Sequence, residues 1–174
     1  GYIQTTPIQL CLMAAQIGNG GYKIYPKLVL NGQEDLVHED KYKPLYKNDK
    51  NIKIIQEAMF SSTNEIMGTS YRSRIEDPKY QFAGKTGTAQ VKRITAEERE
   101  LDLKTSEIPY EQRDHALYIA FGPYKNPRYA LSIVIEHGGS GGSVAAPIAK
   151  KMFKMIVDRH EIRKNFDTKK YLNI

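Results

Sequence analysis

The feature that most constrains the fold is a pair of runs, His115 to Tyr124 and Arg128 to His137, rich in Tyr, Ile, Val and Phe and joined through Pro123-Tyr124-Lys125-Asn126-Pro127. Strands connected by so short a turn can pair only antiparallel, so the pattern predicts a hairpin. A third extended stretch, Tyr80 to Val91, precedes it. Lys92 to Arg113 is a long charged excursion between strands, with one helical turn expected around Glu97-Glu98-Arg99-Glu100; ordered loops of that length are often functional. After Gly138-Gly139-Ser140-Gly141-Gly142, Ser143 is expected to cap a helix running to about His160, with Ala149, Met152, Phe153, Ile156 and Val157 on one face. The class expected from this order is α+β, helices packed on an antiparallel sheet.

The N-terminal part is punctuated by helix signals. Thr6-Pro7-Ile8-Gln9 supplies a Thr cap, a Pro at the first helical position and a Gln that closes a capping box. A helix from Pro7 to about Ile17 is predicted, with Ile8, Leu12 and Ala15 on one face and Gly18-Asn19-Gly20-Gly21 ending it. Tyr22 to Leu30 reads as extended, Asn31-Gly32 as a turn, Gln33 to Lys50 as a loop or irregular hairpin, and about Asn51 to Phe60 as a helix with an Ile52, Ile55, Met59 stripe. The 174 residues fit one domain. The lone Cys11 cannot form an internal disulfide, and the four histidines show no metal-ligand spacing, so neither a metal nor another cofactor is expected. The net charge of +6 comes from Lys and Arg interleaved with acids except between Arg159 and Lys170, and no nucleic-acid-binding module accompanies it.

Chemistry concentrates in Lys85-Thr86-Gly87-Thr88. A strand at a cleft wall carrying an ammonium and two hydroxyls suits a carboxylate, and Gly87 lets a ligand lie close enough for the Thr88 N–H to meet a developing oxyanion. Two other readings compete. Gly84-Lys85-Thr86 imitates the end of a phosphate-binding loop, although Lys79 stands where that motif needs Gly and the flanks read as extended; an exposed strand with a Gly bulge is the other.

The surrounding segments narrow the choice. Gly1-Tyr2-Ile3-Gln4-Thr5-Thr6-Pro7-Ile8-Gln9-Leu10, then Ala83 to Val91, then Arg113-Asp114-His115-Ala116-Leu117 with Ala120 to Pro127, then Glu136-His137-Gly138-Gly139 closely resemble, in that order, the transpeptidase domain of class B penicillin-binding proteins, the elongation-specific members above all. The likeness is weak at Gln33 to Lys50 and in the tail, so residues 1–162 are taken as the C-terminal portion of such a domain and 163–174 as a basic tail. It implies a partial penicillin-binding-protein and serine β-lactamase-like fold. It also implies an acyl-enzyme mechanism, in which the Ser of an S-x-x-K motif attacks the D-Ala-D-Ala carbonyl of a peptidoglycan stem peptide. By the resemblance, Lys85, Thr86 and Thr88 recognise the terminal carboxylate of that peptide or of a β-lactam, Gly87 keeps the wall open, and the Thr88 N–H forms half of the oxyanion hole.

The nucleophile is not in this chain, because none of its serines has Lys three residues later. Ser62-Thr63-Asn64 spells the family's S-x-N, which in the family precedes the Thr-Pro-Ile-Gln helix, so the copy is read as coincidental. The chain alone is therefore expected to be inactive. The resemblance places the parent on the periplasmic side of the bacterial inner membrane, its anchor outside this chain, among cell-wall elongation proteins. Alternatives are a non-catalytic binding or assembly module, and a class D-like β-lactamase or sensor domain. The family's sheet also places two strands beside Arg128 to His137 that this chain lacks, an unpaired edge that invites self-association. His115 and His137 are read as structural, and Cys11 as a small buried hydrophobe.

Overall fold

The computed structural model describes residues 4–28, 40–92 and 103–172, the last ten by backbone only. The helical turn expected at Glu97 to Glu100 and the Asn31-Gly32 turn lie outside the described residues. Six elements form the frame: α1 Pro7–Gly18, α2 Asp49–Asn64, β1 Ala83–Ala89, β2 His115–Gly122, β3 Tyr129–Ile135 and α3 Ala146–Leu172. The strands make one antiparallel sheet in the order β1-β2-β3, with Ala83 opposite Phe121 and Ala89 opposite His115, then Ala116 opposite Ile135. The hairpin turn carries a cis Gly122-Pro123 bond.

Strand alternation splits the core in two. On one face Phe82, Ala116, Tyr118, Ala120, Leu131 and Ile133 meet Ala145, Ala146, Ala149 and Phe153 of the C-terminal helical segment. On the other, Ala83, Ile119, Phe121 and Ala130 meet Ile17 of α1 and Met59 and Phe60 of α2. The sheet is thus the middle of three layers, and two of the helices approach it from the side to which Lys85 and Gly87 belong.

The Thr6 capping box forms as expected, and α1 ends at Gly18, with Gly20 and Gly21 at positive φ. Its buried residues are Ala14 and Gly18 and not the Ile8 stripe, since Ile8 is exposed. The second helix is longer than predicted, reaching Asn64, and buries Met59 and Thr63 while Ile55 faces out. Ser143 does not cap the last helix. A single π-type turn, Gly141–Ala145, leads straight into α3, and the residue before it, Ser140, makes no side-chain cap. The buried stripe of α3 is Ala149, Phe153 and Val157, and Met152 lies outside it, 38% exposed. Cys11 is half-buried with its thiol directed at the Ala130 carbonyl, and burial pushes that thiol up from its ordinary value.

Of the Gln33 to Lys50 segment expected as a loop or irregular hairpin, the described part pairs outside it: Tyr22 bridges Pro44, Tyr42 N–H donates to Lys23 O at 2.7 Å and Lys23 N–H to Lys43 O at 2.9 Å. Lys23 and the Tyr25 hydroxyl, the latter at 2.6 Å, both donate to the Asp40 carboxylate. They hold its pKa down to about 2, Lys23 contributing most. Because the folded value lies below the unfolded one of about 3.9, the clasp's stabilisation is complete above that value and is lost as pH falls through about 2. An NMR titration of Asp40 should show this depressed midpoint, and a midpoint near 3.9 would mean that the clasp does not form in solution.

Candidate functional site

Lys85, Thr86, Gly87 and Thr88 all lie on β1, an edge strand among the described residues. What fixes that edge is a buried hydroxyl cluster. Tyr118, fully buried on β2, places its hydroxyl 2.9 Å from Thr63 Oγ1 and 3.1 Å from Ser70 Oγ. The ring reaches them across Gly84: a Cβ there would lie 2.3 Å from the Tyr118 oxygen, so only glycine fits. Burial raises the Tyr118 pKa, and hydrogen bonds with Ser70 and Thr63 pull the other way. Thr63 also grips the strand itself, accepting from Gly84 N–H at 3.0 Å and approaching Gly84 O at 3.4 Å. Its neighbour Asn64 donates to Phe82 O at 3.0 Å. The Ser62-Thr63-Asn64 segment is thus where the end of α2 is fastened to the edge of β1.

This fastening fixes the polarity of the strand. With both its polar backbone groups turned to Thr63, Gly84 belongs to a pair that does not exchange hydrogen bonds with β2. The alternation carries that to Thr86 and Thr88, whose N–H and C=O groups point outward along the same edge. Lys85 wraps around this edge, its ammonium donating to Thr86 O at 3.0 Å and Thr86 Oγ1 at 3.2 Å. On the face it shares with Lys85, Gly87 is open: a Cβ there would meet only the Cβ of Leu117, at 3.2 Å. Behind it, Gly141 sits on the Gly87-Leu117 rung so closely that a Cβ would fall 2.3 Å from Leu117 O and 2.6 Å from Gly87 O. The four motif residues therefore converge on one open edge with a cation, a hydroxyl and outward amides. β1 is extended throughout, with no helix starting at Lys85, which removes the phosphate-loop reading.

His115 and His137 lie at the Thr88 end of the sheet, His115 opposite Ala89. His137 N–H donates to His115 Nδ1 at 3.0 Å, so that nitrogen carries no proton, and His137 Nδ1 donates to Arg113 O at 3.1 Å. Each ring is thereby held by a backbone group. Between them Asp114 accepts from Val91 N–H through its carboxylate and from Gly139 N–H through its carbonyl, tying the exit of β1 to the turn after β3. The sequence reading missed Thr69-Ser70. Ser70 belongs to the buried cluster, while Thr69 Oγ1 stands 3.1 Å from Thr86 Oγ1 and 3.2 Å from Ser62 Oγ. The only hint was a second pair of adjacent hydroxyl residues shortly after Ser62-Thr63.

Comparison with known proteins gives the family and the fold. A family model described as the penicillin binding protein transpeptidase domain matches residues 1–154. Peptidoglycan D,D-transpeptidase MrdA of Salmonella typhimurium is 35% identical over 164 residues, 91% of this chain and 26% of that protein. MrdA of Haemophilus influenzae is 32% identical over 158 residues, 87% of this chain and 24% of its own length. Among solved structures, PBP2 of Helicobacter pylori in complex with MreC matches with a TM-score of 0.70 at 29% identity, covering 91% of this chain and 26% of that one. PBP2 of Pseudomonas aeruginosa in complex with WCK 5153 matches at 0.66 and 32%, covering 86% and 29%. The chain spans about a quarter of the length of the curated relatives it matches.

The hydroxyl cluster has a measurable signature. Tyr118→Phe leaves Thr63 and Ser70 short of a partner and should cost about 1–3 kcal/mol in urea unfolding. Gly84→Ala, by overpacking against the same ring, should cost about as much, and the double variant should lose less than the sum. Strict additivity would mean that ring and glycine are not in contact.

Proposed function

This chain belongs to the penicillin-binding protein transpeptidase family, and from that premise we propose that it is the K-T-G-bearing half of a peptidoglycan D,D-transpeptidase domain that works through a serine acyl-enzyme and is acylated by β-lactams. The observation that carries the proposal is the outer edge of β1, where the Lys85 ammonium and the Thr86 hydroxyl stand beside the outward Thr88 N–H. Lys85 and the Thr86 and Thr88 hydroxyls take the carboxylate of the stem peptide or β-lactam. The Thr88 N–H stabilises the oxyanion formed when a serine from another part of the protein attacks the carbonyl. Open space beside Gly87 admits the ligand.

The relatives bear the names of peptidoglycan D,D-transpeptidases, which supports the same substrate class here. The PBP2 relative in complex with MreC supports a cell-wall elongation partner for the parent protein. We place the enzyme on the periplasmic side of the inner membrane, where its substrate is; among the described residues no helix is long and apolar enough to cross a bilayer.

The protein carrying this segment together with an S-x-x-K serine should take up one equivalent of fluorescent penicillin, and the 174 residues alone should take up none. Lys85→Gln should slow acylation about 10- to 100-fold, the value of a hydrogen bond to a charged group. A covalent adduct on the 174-residue chain, or unchanged acylation in Lys85→Gln, would overturn the proposal.

A further inference from the structure

Resting on the reading of Thr86 as a carboxylate contact, we propose that Thr69 and Ser62 are positioning residues for that contact: they turn the Thr86 hydroxyl into an obligatory donor toward the bound anion. The Lys85 ammonium has only donors, so its 3.2 Å contact with Thr86 Oγ1 occupies one lone pair of that oxygen. Thr69 Oγ1, 3.1 Å away on the other side, can fill the second lone pair by donating its own proton. Ser62 Oγ, 3.2 Å from Thr69 Oγ1, can then donate to Thr69 in turn. In a chain running Ser62 to Thr69 to Thr86, both acceptor sites of Thr86 are filled and its proton has nowhere to go but a third partner at the open edge. An arriving carboxylate supplies that partner, since it only accepts, and its charge favours this direction of the chain over the reverse.

The backbone around Thr69 is held well enough for such a role. Ser70, next in sequence, donates through both its N–H and its hydroxyl to Ser62 O, each at 3.0 Å, which locks the Thr69-Ser70 turn onto the last turn of α2. On the other side the Thr69 carbonyl lies against Gly142, where a Cβ would come within 2.6 Å of it. Ser62 and Thr69 are therefore carried by the same two segments whose neighbours, Thr63 and Ser70, make the buried cluster with Tyr118. One pair of hydroxyls sets the strand, and the adjacent pair sets the side chain displayed on it.

The test compares acylation of the full-length protein by a fluorescent penicillin and by the same reagent with its ring carboxylate esterified. Thr69→Val should slow acylation by the carboxylate form roughly 3- to 10-fold, the worth of one neutral hydrogen bond, and leave the ester rate unchanged; Thr69→Ser should restore the wild-type rate, and Ser62→Ala should act in the same direction as Thr69→Val but less. Equal slowing of both reagents by Thr69→Val, failure of Thr69→Ser to rescue, or no effect at all would overturn the positioning role. Thr86→Val separates the two readings: if it slows the carboxylate form selectively while Thr69→Val does not, only the present inference fails. If Thr86→Val is also without selective effect, the carboxylate reading fails with it.

Discussion

The arrangement depends on one close approach, the passage of the Tyr118 ring across Gly84. Because residue 84 has no side chain, a phenol from the central strand reaches past the edge strand and meets hydroxyls from two other segments. A bare cluster of three buried hydroxyls would be expensive to desolvate, but each member here has partners, and Thr63 spends its remaining capacity on the Gly84 backbone. The end of α2 is thereby pinned to a defined rung of β1. From that single anchoring, the alternation of the antiparallel ladder determines which amides face outward further along the strand.

The packing layers support the same edge from both sides. Phe82 stacks on Phe153 at 4.8 Å, coupling the entry of β1 to α3, and Met59 and Phe60 hold α2 against the opposite face. Near the outer end of the described α3 side chains, Asp158 receives hydrogen bonds from the Tyr80 hydroxyl at 2.6 Å and from Lys79, which pull its pKa below the ordinary carboxylate value. Lys79 also pairs with Glu161. These contacts lie on the surface, where ion pairs add little to stability. Their effect is to fasten the segment leading into β1 to the helix that covers it.

Much of this was legible in the residues themselves. The hairpin, the capping box at Thr6 and, within the stretch Tyr80 to Val91 read as extended, the strand Ala83–Ala89 follow from local chemistry, because turn residues, a side chain three positions from its partner and strand-forming runs act over a few residues; Tyr80 itself closes a turn on Asp77. The motif Lys85-Thr86-Gly87-Thr88 was legible for the same reason: its members share one strand. What the sequence concealed depends on pairs distant along the chain. Thr63 is 21 residues from Gly84 and 55 from Tyr118, and no periodicity marks it. Thr69 resembles any loop threonine until its distance to Thr86 is known. The Ser143 cap failed because the glycines before it let a wider π-type turn start two residues earlier, against the Gly87-Leu117 rung.

The way α2 ends on β1 also limits what the edge can accept. Exposed strand edges ordinarily recruit further strands, from ligands or from other copies of the protein, without regard to length. Here Asn64 and Thr63 have already taken the outward groups of Phe82 and Gly84, and the Lys85 side chain lies across the next rung. An extended chain laid against β1 meets a helix end just beyond Thr86, so it cannot continue as a sheet in that direction. On the Gly84 side the edge is closed by three side chains, whatever the sequence of the chain that arrives.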